Sequence, residues 1–135
     1  MIFGIGTDLV NIKRIEDALF RFGDRFLHRI LSEEEVAEYA QSSQPARFVA
    51  KRFAAKEAFS KAYGTGIGES VGWHDVRVTH DALGKPLIQT SQMLGEKLLS
   101  QQITNLHLSI TDETEQALAF VVIEKNDSKF MNVKI

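Results

Sequence analysis

The spacing of apolar and polar residues divides the 135-residue chain into short strands and several helices. Strands are predicted where the two kinds alternate, and helices where apolar residues recur every three or four positions. This pattern indicates an α+β protein with mostly antiparallel strands and a long central helix. The predicted elements are a strand at 2–5, helices at 11–22, 24–31, 32–40 and 46–63, a hairpin within 75–88, a helix at 91–102, and two last strands at 106–110 and 117–123.

The central helix contains the first chemical signal. Its residues 46–63 include no glycine or proline, and Gly64 follows in the position of a C-terminal cap. The helix is apolar on two faces, which is typical of a buried element. Glu57 falls within an alanine-lined face, with Lys61 one turn later. A buried carboxylate is costly unless it is paired or bound to a metal, so Glu57 is a candidate for either arrangement.

Four other places could carry chemistry, although each has a more ordinary interpretation. Asp8 follows the predicted first strand, where an acid is most often a cap or turn residue. The sequence Gly-Thr-Gly-Ile-Gly at 64–68 reads as a loop, and Gly-Lys-Pro at 84–86 as the end of a hairpin turn. His107 alternates with Leu106 and Leu108, so it faces away from them. None of these signals is specific alone.

Composition excludes several classes of protein. The net charge of −2 argues against a general nucleic-acid binder. No apolar stretch approaches the roughly 20 residues that span a bilayer, and the chain contains no cysteine for a disulfide or a thiolate metal site. We therefore expect a soluble, cytoplasmic protein. Basic residues concentrate at 13–29 and 47–61, which indicates either anionic partners or two solvated helix faces.

Taken together, four segments resemble holo-acyl-carrier-protein synthase, a short single-domain type of 4′-phosphopantetheinyl transferase. They are GIGTD at 4–8, RFAAKEAFSKAYGTGIG at 52–68, GKP at 84–86 and HLSIT at 107–111. The long central segment is very specific, and all four occur in the family's order and spacing. The resemblance implies the phosphopantetheinyl transferase fold over residues 1–124, with a loosely ordered tail at 125–135.

The resemblance also implies a set of site residues. Asp8 and Glu57 would be ligands of Mg²⁺, an ion that prefers one or two carboxylates plus phosphate and water oxygens. Lys61 would meet the pyrophosphate of coenzyme A. Three candidates for the base that takes up the serine proton stay open: Glu57, a metal-bound water and His107. The remaining expected cofactor contacts are Arg52, Gly64, Lys85, Pro86 and His107, with Lys56 a further candidate for a nucleotide phosphate.

The activity implied is transfer of 4′-phosphopantetheine from coenzyme A to a serine of apo-acyl carrier protein. The products would be holo-carrier protein and 3′,5′-ADP, used in fatty acid biosynthesis. The acidic carrier would dock on the basic first helix. The family is typically a homotrimer with active sites between subunits, so part of the apolar strand set 106, 108, 110, 117, 119, 121 and 123 is expected to be buried between chains. The docking residues would be Lys13, Arg14, Arg21 and Arg25.

Two other functions are considered. One keeps the chemistry but serves carriers of polyketide or peptide synthetases, although relatives of broad specificity are about twice as long. The other is a non-catalytic module that binds a nucleotide or carrier, which the presence of Asp8, Glu57 and Lys61 argues against. One position departs from the family pattern, because Asp112 stands near the place where many relatives carry a histidine.

Overall fold

The computed structural model describes residues 1–126 and confirms the α+β class. The loosely ordered tail at 125–135 stays a prediction, since Lys125 ends the last strand and residues 127–135 lie outside the described residues. The elements are β1 (Ile2–Asn11), α1 (Ile12–Phe22), α2 (Asp24–Ile30), α3 (Glu33–Ala40), α4 (Pro45–Tyr63), β2 (Val76–His80), β3 (Pro86–Thr90), α5 (Gln92–Ser100), β4 (Ile103–Asp112) and β5 (Gln116–Lys125).

Local capping signals set most helix boundaries close to their predicted places. The sequence Ser-Glu-Glu-Glu at 32–35 is typical of a capping box, and one begins α3: the Ser32 side chain accepts from the Glu35 backbone amide, and the Glu35 side chain accepts from that of Ser32. Gly64 ends α4 with a φ of 100°, a conformation that favours glycine. Within residues 1–126, no helix combines the length and the apolar character needed to cross a membrane.

The main sheet is antiparallel with the strand order β1-β5-β4, and β2 and β3 form a separate hairpin. One boundary prediction was wrong: Asp8 lies inside β1 and not after it. Pairing with β5 continues past the short apolar run, with Asp8 opposite Ala119 and Asn11 opposite Gln116. A polar residue interrupts the apolar pattern, but the neighbouring strand still satisfies the backbone through to Asn11.

Helix α4 covers one face of this sheet. The residues of β5 that face it are fully buried within the chain, so they are not among the part of the apolar strand set expected to be buried between chains. The opposite face exposes apolar side chains instead, with Ile5 62%, Leu9 56% and Phe120 37% exposed. Both faces of β5 are apolar, so its composition did not indicate which one α4 would cover. The buried residues are Ala117, Ala119, Val121 and Ile123.

Candidate functional site

The contact between α4 and β1 is unusually close and depends on two glycines. A Cβ atom at Gly4 would lie 1.9 Å from the Ala62 carbonyl oxygen, and one at Gly6 would lie 2.1 Å from that of Ala58. Any larger residue would therefore push the helix away from the strand. Gly4, Gly6 and Asp8 alternate along β1 and share the helix-facing side. The glycines thus allow α4 to lie directly beside the Asp8 carboxylate.

This contact gathers three of the predicted site residues. Lys61 Nζ lies 3.1 Å from Asp8 Oδ1 and also donates to the Thr7 carbonyl oxygen at 3.1 Å. Glu57, one turn before Lys61, is half-buried and close enough for its charge to interact with both. Burial is the main cause that raises the pKa of Glu57, and the negative charge of Asp8 adds to it, while Lys61 opposes both.

The donor set suits a hard divalent cation. Among residues 1–126, no hydrogen bond or ion pair is made to the Glu57 carboxylate, and no cluster of three or more His, Asp or Glu side chains could hold a metal. Asp8 and Glu57 could supply two carboxylate ligands to such a cation, and phosphate and water oxygens would complete the ligand set that Mg²⁺ prefers. A cation between them would also offset the repulsion that disfavours a charged Glu57.

The glycine loop begins beside this cluster. The amides of Gly64, Thr65 and Gly66 all converge on the Ser60 carbonyl oxygen, at 3.0, 3.3 and 3.1 Å. These amides cap α4 and are already used. Gly64 lies one turn after Lys61, so its predicted contact with a cofactor would come from close backbone approach and not from a free amide. That contact stays a prediction.

A second group of predicted residues lies elsewhere on the molecule. Arg52 and Pro86 line a cavity of about 160 Å³, together with His80. Arg52 is 4% exposed, and its Nε is the one fully buried side-chain N or O atom without a hydrogen-bond partner in the described part of the chain. Burial and the nearby Arg52 charge are the leading causes that lower the pKa of His80. Lys85 is exposed nearby. The other lining residues are Lys51, Gly84, Ile110 and Asp112.

His107 belongs to neither group. It pairs across the ladder with Val122 of β5, so it projects from the sheet face opposite α4. Its Nε2 lies 2.5 Å from Glu124 Oε1, and both side chains are substantially exposed. The sequence correctly predicts that His107 faces away from Leu108. Within one chain, however, the sheet separates His107 from Asp8 and Glu57.

The basic residues of α1 are exposed, and so are two of its phenylalanines. Phe22 continues the helical apolar spacing of Ile12, Ile15 and Leu19, yet it is 52% exposed, and Phe20 is 93% exposed. A cavity of about 350 Å³ lies between α1 and α2, where two phenylalanines lie beside two arginines. Sequence reasoning did not assign Phe26 and Arg29 to this surface. One signal was present within α2, where Arg25 and Arg29 lie at i,i+4 spacing and share a face.

The prediction that Lys56 could contact a nucleotide phosphate is wrong. It is fully buried, and its Nζ lies 2.6 Å from Glu35 Oε1. The same nitrogen donates to the carbonyl oxygens of Ile30 and Trp73 at 2.7 and 2.9 Å. A lysine has three donor hydrogens, and here all three are used inside the protein. No donor is left for a nucleotide.

Comparison with known proteins gives this arrangement a family. The model of the 4′-phosphopantetheinyl transferase superfamily matches residues 4–121. A holo-[acyl-carrier-protein] synthase of Vibrio cholerae is 50% identical over 93% of this chain and 99% of its own length. The matched range includes all of the predicted site residues of α4, β1 and β4. The fold and the site therefore define a transferase of phosphopantetheinyl groups.

Solved structures agree with that class. The holo-[acyl-carrier-protein] synthase of Neisseria meningitidis has a TM-score of 0.90 and 49% identity, covering 93% of this chain and 100% of its own. That of Bacillus anthracis, solved in complex with CoA (3′,5′-ADP), has a TM-score of 0.78 and 43% identity, covering 93% and 99%. The chain belongs to the holo-[acyl-carrier-protein] synthase family.

Proposed function

We propose that the protein uses Mg²⁺ to transfer 4′-phosphopantetheine from coenzyme A to a serine of apo-acyl carrier protein, for fatty acid biosynthesis in the cytoplasm. The products are holo-carrier protein and 3′,5′-ADP. The observation that carries this proposal is the cluster of Asp8, Glu57 and Lys61. Two carboxylates and a lysine lie together there, and in the described residues the Glu57 carboxylate has no hydrogen-bond or ion-pair partner. The relative crystallised with CoA supports the substrate.

Asp8 and Glu57 would hold the Mg²⁺, whose bound charge would stabilise the negative charge that develops on the transferring phosphoryl group. Lys61 keeps a third donor hydrogen after its bonds to Thr7 and Asp8, and its side chain is 50% exposed. It can therefore turn that donor towards a pyrophosphate oxygen. Catalysis in this proposal is mainly positioning and charge neutralisation, as in other phosphoryl transfers.

The second group, with Arg52 and Pro86, and the isolated His107 suggest that a complete site takes residues from more than one chain. We propose a homotrimer in which these groups meet Asp8 and Glu57 of a neighbour. The exposed apolar sheet face supports this assembly, because apolar patches of that kind usually mark an interface. Its members are Ile5, Leu9, Leu118, Phe120 and Val122.

Complementation between inactive chains tests the shared site. Glu57→Ala chains and His107→Ala chains are each expected to lose activity, since each lacks one half of every site. When the two are unfolded together and refolded as mixed oligomers, some sites receive both intact halves, and part of the activity should return. A mixture no more active than its two separate components would contradict the shared site and leave the metal cluster unaffected.

The surface formed by α1 and α2 is proposed to dock the acidic carrier protein. Arg14, Arg21 and Arg25 are exposed there, whereas Lys13 is drawn towards Glu16 and Asp17 at 3.4 and 3.3 Å. Exposed charges of this kind mostly raise the association rate. Arg14→Glu with Arg21→Glu should raise the KM for the carrier at least tenfold and leave the KM for coenzyme A unchanged. An equal rise in the two KM values would contradict the proposal that this surface binds the carrier and not coenzyme A.

The reaction itself is tested by incubating the protein with coenzyme A, Mg²⁺ and a purified apo-carrier. Two carriers are compared, an acyl carrier protein and a peptidyl carrier domain, and the mass of each is measured. The proposal expects conversion of the acyl carrier at a much higher kcat/KM. Preferred conversion of the peptidyl carrier would contradict the assigned partner, and conversion of neither would contradict the activity.

A further inference from the structure

A fully buried ion pair joins α4 to α3 on a different side of the helix from Glu57. Glu35 and Lys56 are both inaccessible, and Glu35 Oε1 accepts from Lys56 Nζ at 2.6 Å. At about 100° per residue, Lys56 lies roughly a quarter-turn around the helix from its neighbour Glu57. The metal-binding carboxylate and the buried lysine are therefore adjacent in sequence and face different parts of the protein.

The pair satisfies backbone groups from several elements at once. Lys56 holds the Ile30 carbonyl oxygen at the end of α2 and the Trp73 carbonyl oxygen in the segment before β2. Glu35 accepts from the amide of Ser32 at 3.0 Å and from that of Val78 in β2 at 3.1 Å. One charged pair thus fixes α2, α3 and β2 to a single point on α4.

The bonds of this pair differ in kind from the contact between α4 and β1 on another side of the helix. Gly4 and Gly6 allow the backbone of α4 to lie against β1, but glycines add no side chain that would hold the helix in register. An apolar contact permits small slides, whereas charge-assisted hydrogen bonds are short and directional. On the β1 side, the half-exposed Lys61 makes the bonds to Thr7 and Asp8. The buried directional bonds that hold this part of α4 are those of Lys56, the residue before Glu57.

We propose that Lys56 and Glu35 are positioning residues for the metal site, and that their buried pair sets the register of α4 so that Glu57 and Asp8 can bind one cation. This inference rests on the proposed function. Neither residue touches the cation or the substrate, so neither is a catalytic residue. Lys56 acts through the backbone of α4, and Glu35 acts through Lys56.

A double variant, Glu35→Gln with Lys56→Met, tests the inference. Removing both charges leaves neither of the two buried without its partner, and the buried Arg52, which lies 3.7 Å from Glu35, keeps its ion pair with Glu38 at 3.4 Å. Double replacements of a buried pair are often close to neutral for stability. The side-chain oxygen of the introduced glutamine would still accept from the Ser32 amide and keep the capping box. The expected result is a folded protein whose affinity for Mn²⁺, measured by electron paramagnetic resonance with coenzyme A present, is weaker by about tenfold or more.

Kinetics gives a second measurement that loss of stability alone would not change. The apparent KM for Mg²⁺ of the double variant should rise by a similar factor, and saturating Mg²⁺ should restore much of the transfer rate. Leu94→Ala is the matched control, because Leu94 is a buried residue of α5. Shortening this side chain leaves a cavity that destabilises the fold without touching the buried pair. The Mn²⁺ affinity of Leu94→Ala should equal that of the wild type.

Wild-type Mn²⁺ affinity in the folded double variant would overturn the inference and leave the proposed function standing. The inference would also be overturned if Leu94→Ala weakened Mn²⁺ binding as much as the double variant. The proposed metal site fails separately if wild-type protein binds Mn²⁺ no better than Glu57→Ala does, and the positioning role would fall with it. Mn²⁺ binding that is weakened in the double variant but not in Leu94→Ala supports a positioning role for Glu35 and Lys56.

Discussion

Two lysines five positions apart on α4 have opposite surroundings. Lys56 is fully buried, and its three donors are used by Glu35 and two backbone carbonyls. Lys61 has a side chain that is 50% exposed and bonds only to Asp8 and Thr7 in the described residues. The difference teaches that a lysine of this motif can have either a catalytic or a structural role. The surroundings of the side chain determine the role, and the residue type does not.

The largest effect is expected at the exposed cluster. Glu57→Ala should reduce transfer at least a thousandfold, because it removes one of two carboxylates that hold the metal and with it the charge neutralisation at the phosphoryl group. The fold should persist, since the change extends the alanine face beside Ala54 and Ala58. Release of 3′,5′-ADP measures the activity, and circular dichroism checks the fold. Wild-type turnover in this variant would show that the metal assignment is wrong.

The next largest effect is on stability at the buried pair. Lys56→Met alone removes the hydrogen-bonded partner of buried Glu35 and leaves only the longer contact with Arg52 at 3.7 Å. Breaking a buried pair in this way typically costs about 3–5 kcal/mol. Urea unfolding of Lys56→Met and of the wild type measures this cost. A fall of less than about 1 kcal/mol in the free energy of unfolding would mean that Lys56 contributes no more to stability than an exposed lysine such as Lys61. The contrast between the two residues would then be wrong.

Lys61→Met should give the reverse result. Its bond to Asp8 is substantially exposed, and such pairs contribute only about 0–1 kcal/mol, so the urea midpoint should stay near that of the wild type. Transfer should fall by roughly tenfold to a hundredfold through loss of a phosphate contact. If unfolding stability fell as far as in Lys56→Met, Lys61 would be a structural residue as well.

The smallest effect concerns the ionisation of Glu57 in metal-free protein. Because burial and Asp8 raise its pKa, the folded state holds that proton more tightly than the unfolded chain does. Stability from this group is therefore present at low pH and is lost as the pH rises through the raised pKa. Glu57→Gln removes this loss, so in EDTA at pH 7 its Tm should exceed that of the wild type by roughly a degree or two.

The pH dependence of that difference checks its cause. The gap in Tm between Glu57→Gln and the wild type should shrink towards pH 4, because the raised pKa keeps Glu57 protonated in the folded state and the unfolded chain is mostly protonated there too. Mg²⁺ with coenzyme A should raise the Tm of the wild type only. A gap of unchanged size at pH 4 would assign the effect to packing and not to the carboxylate.

Sequence predicted best what local signals determine. The capping box at Ser32 and the glycine after Tyr63 placed the boundaries of α3 and α4, because caps act within a few residues. The alanine-lined position of Glu57 marked it as a candidate site, and the family resemblance supplied Asp8 and Lys61. These residues do lie together in the structure.

Long-range partners account for what the sequence did not indicate. The buried role of Lys56 depends on Glu35, which is 21 positions away, and no helical period relates the two. The covered face of β5 was likewise undetermined, because Ala119 and Phe120 are both apolar and alternation alone does not say which side α4 will pack on. Asp112, which departed from the family pattern, ion-pairs with Arg47 at 2.7 Å, another contact made only by folding.

The mass of an acyl carrier protein after reaction tests the central claim most directly. Wild-type protein with coenzyme A and apo-carrier is compared in excess Mg²⁺ and in EDTA, with a carrier whose acceptor serine is replaced by alanine as the control. The account predicts that the carrier gains one phosphopantetheinyl group, with one 3′,5′-ADP released for each, only when Mg²⁺ and the serine are both present. Full conversion in EDTA, or none in Mg²⁺, would contradict it.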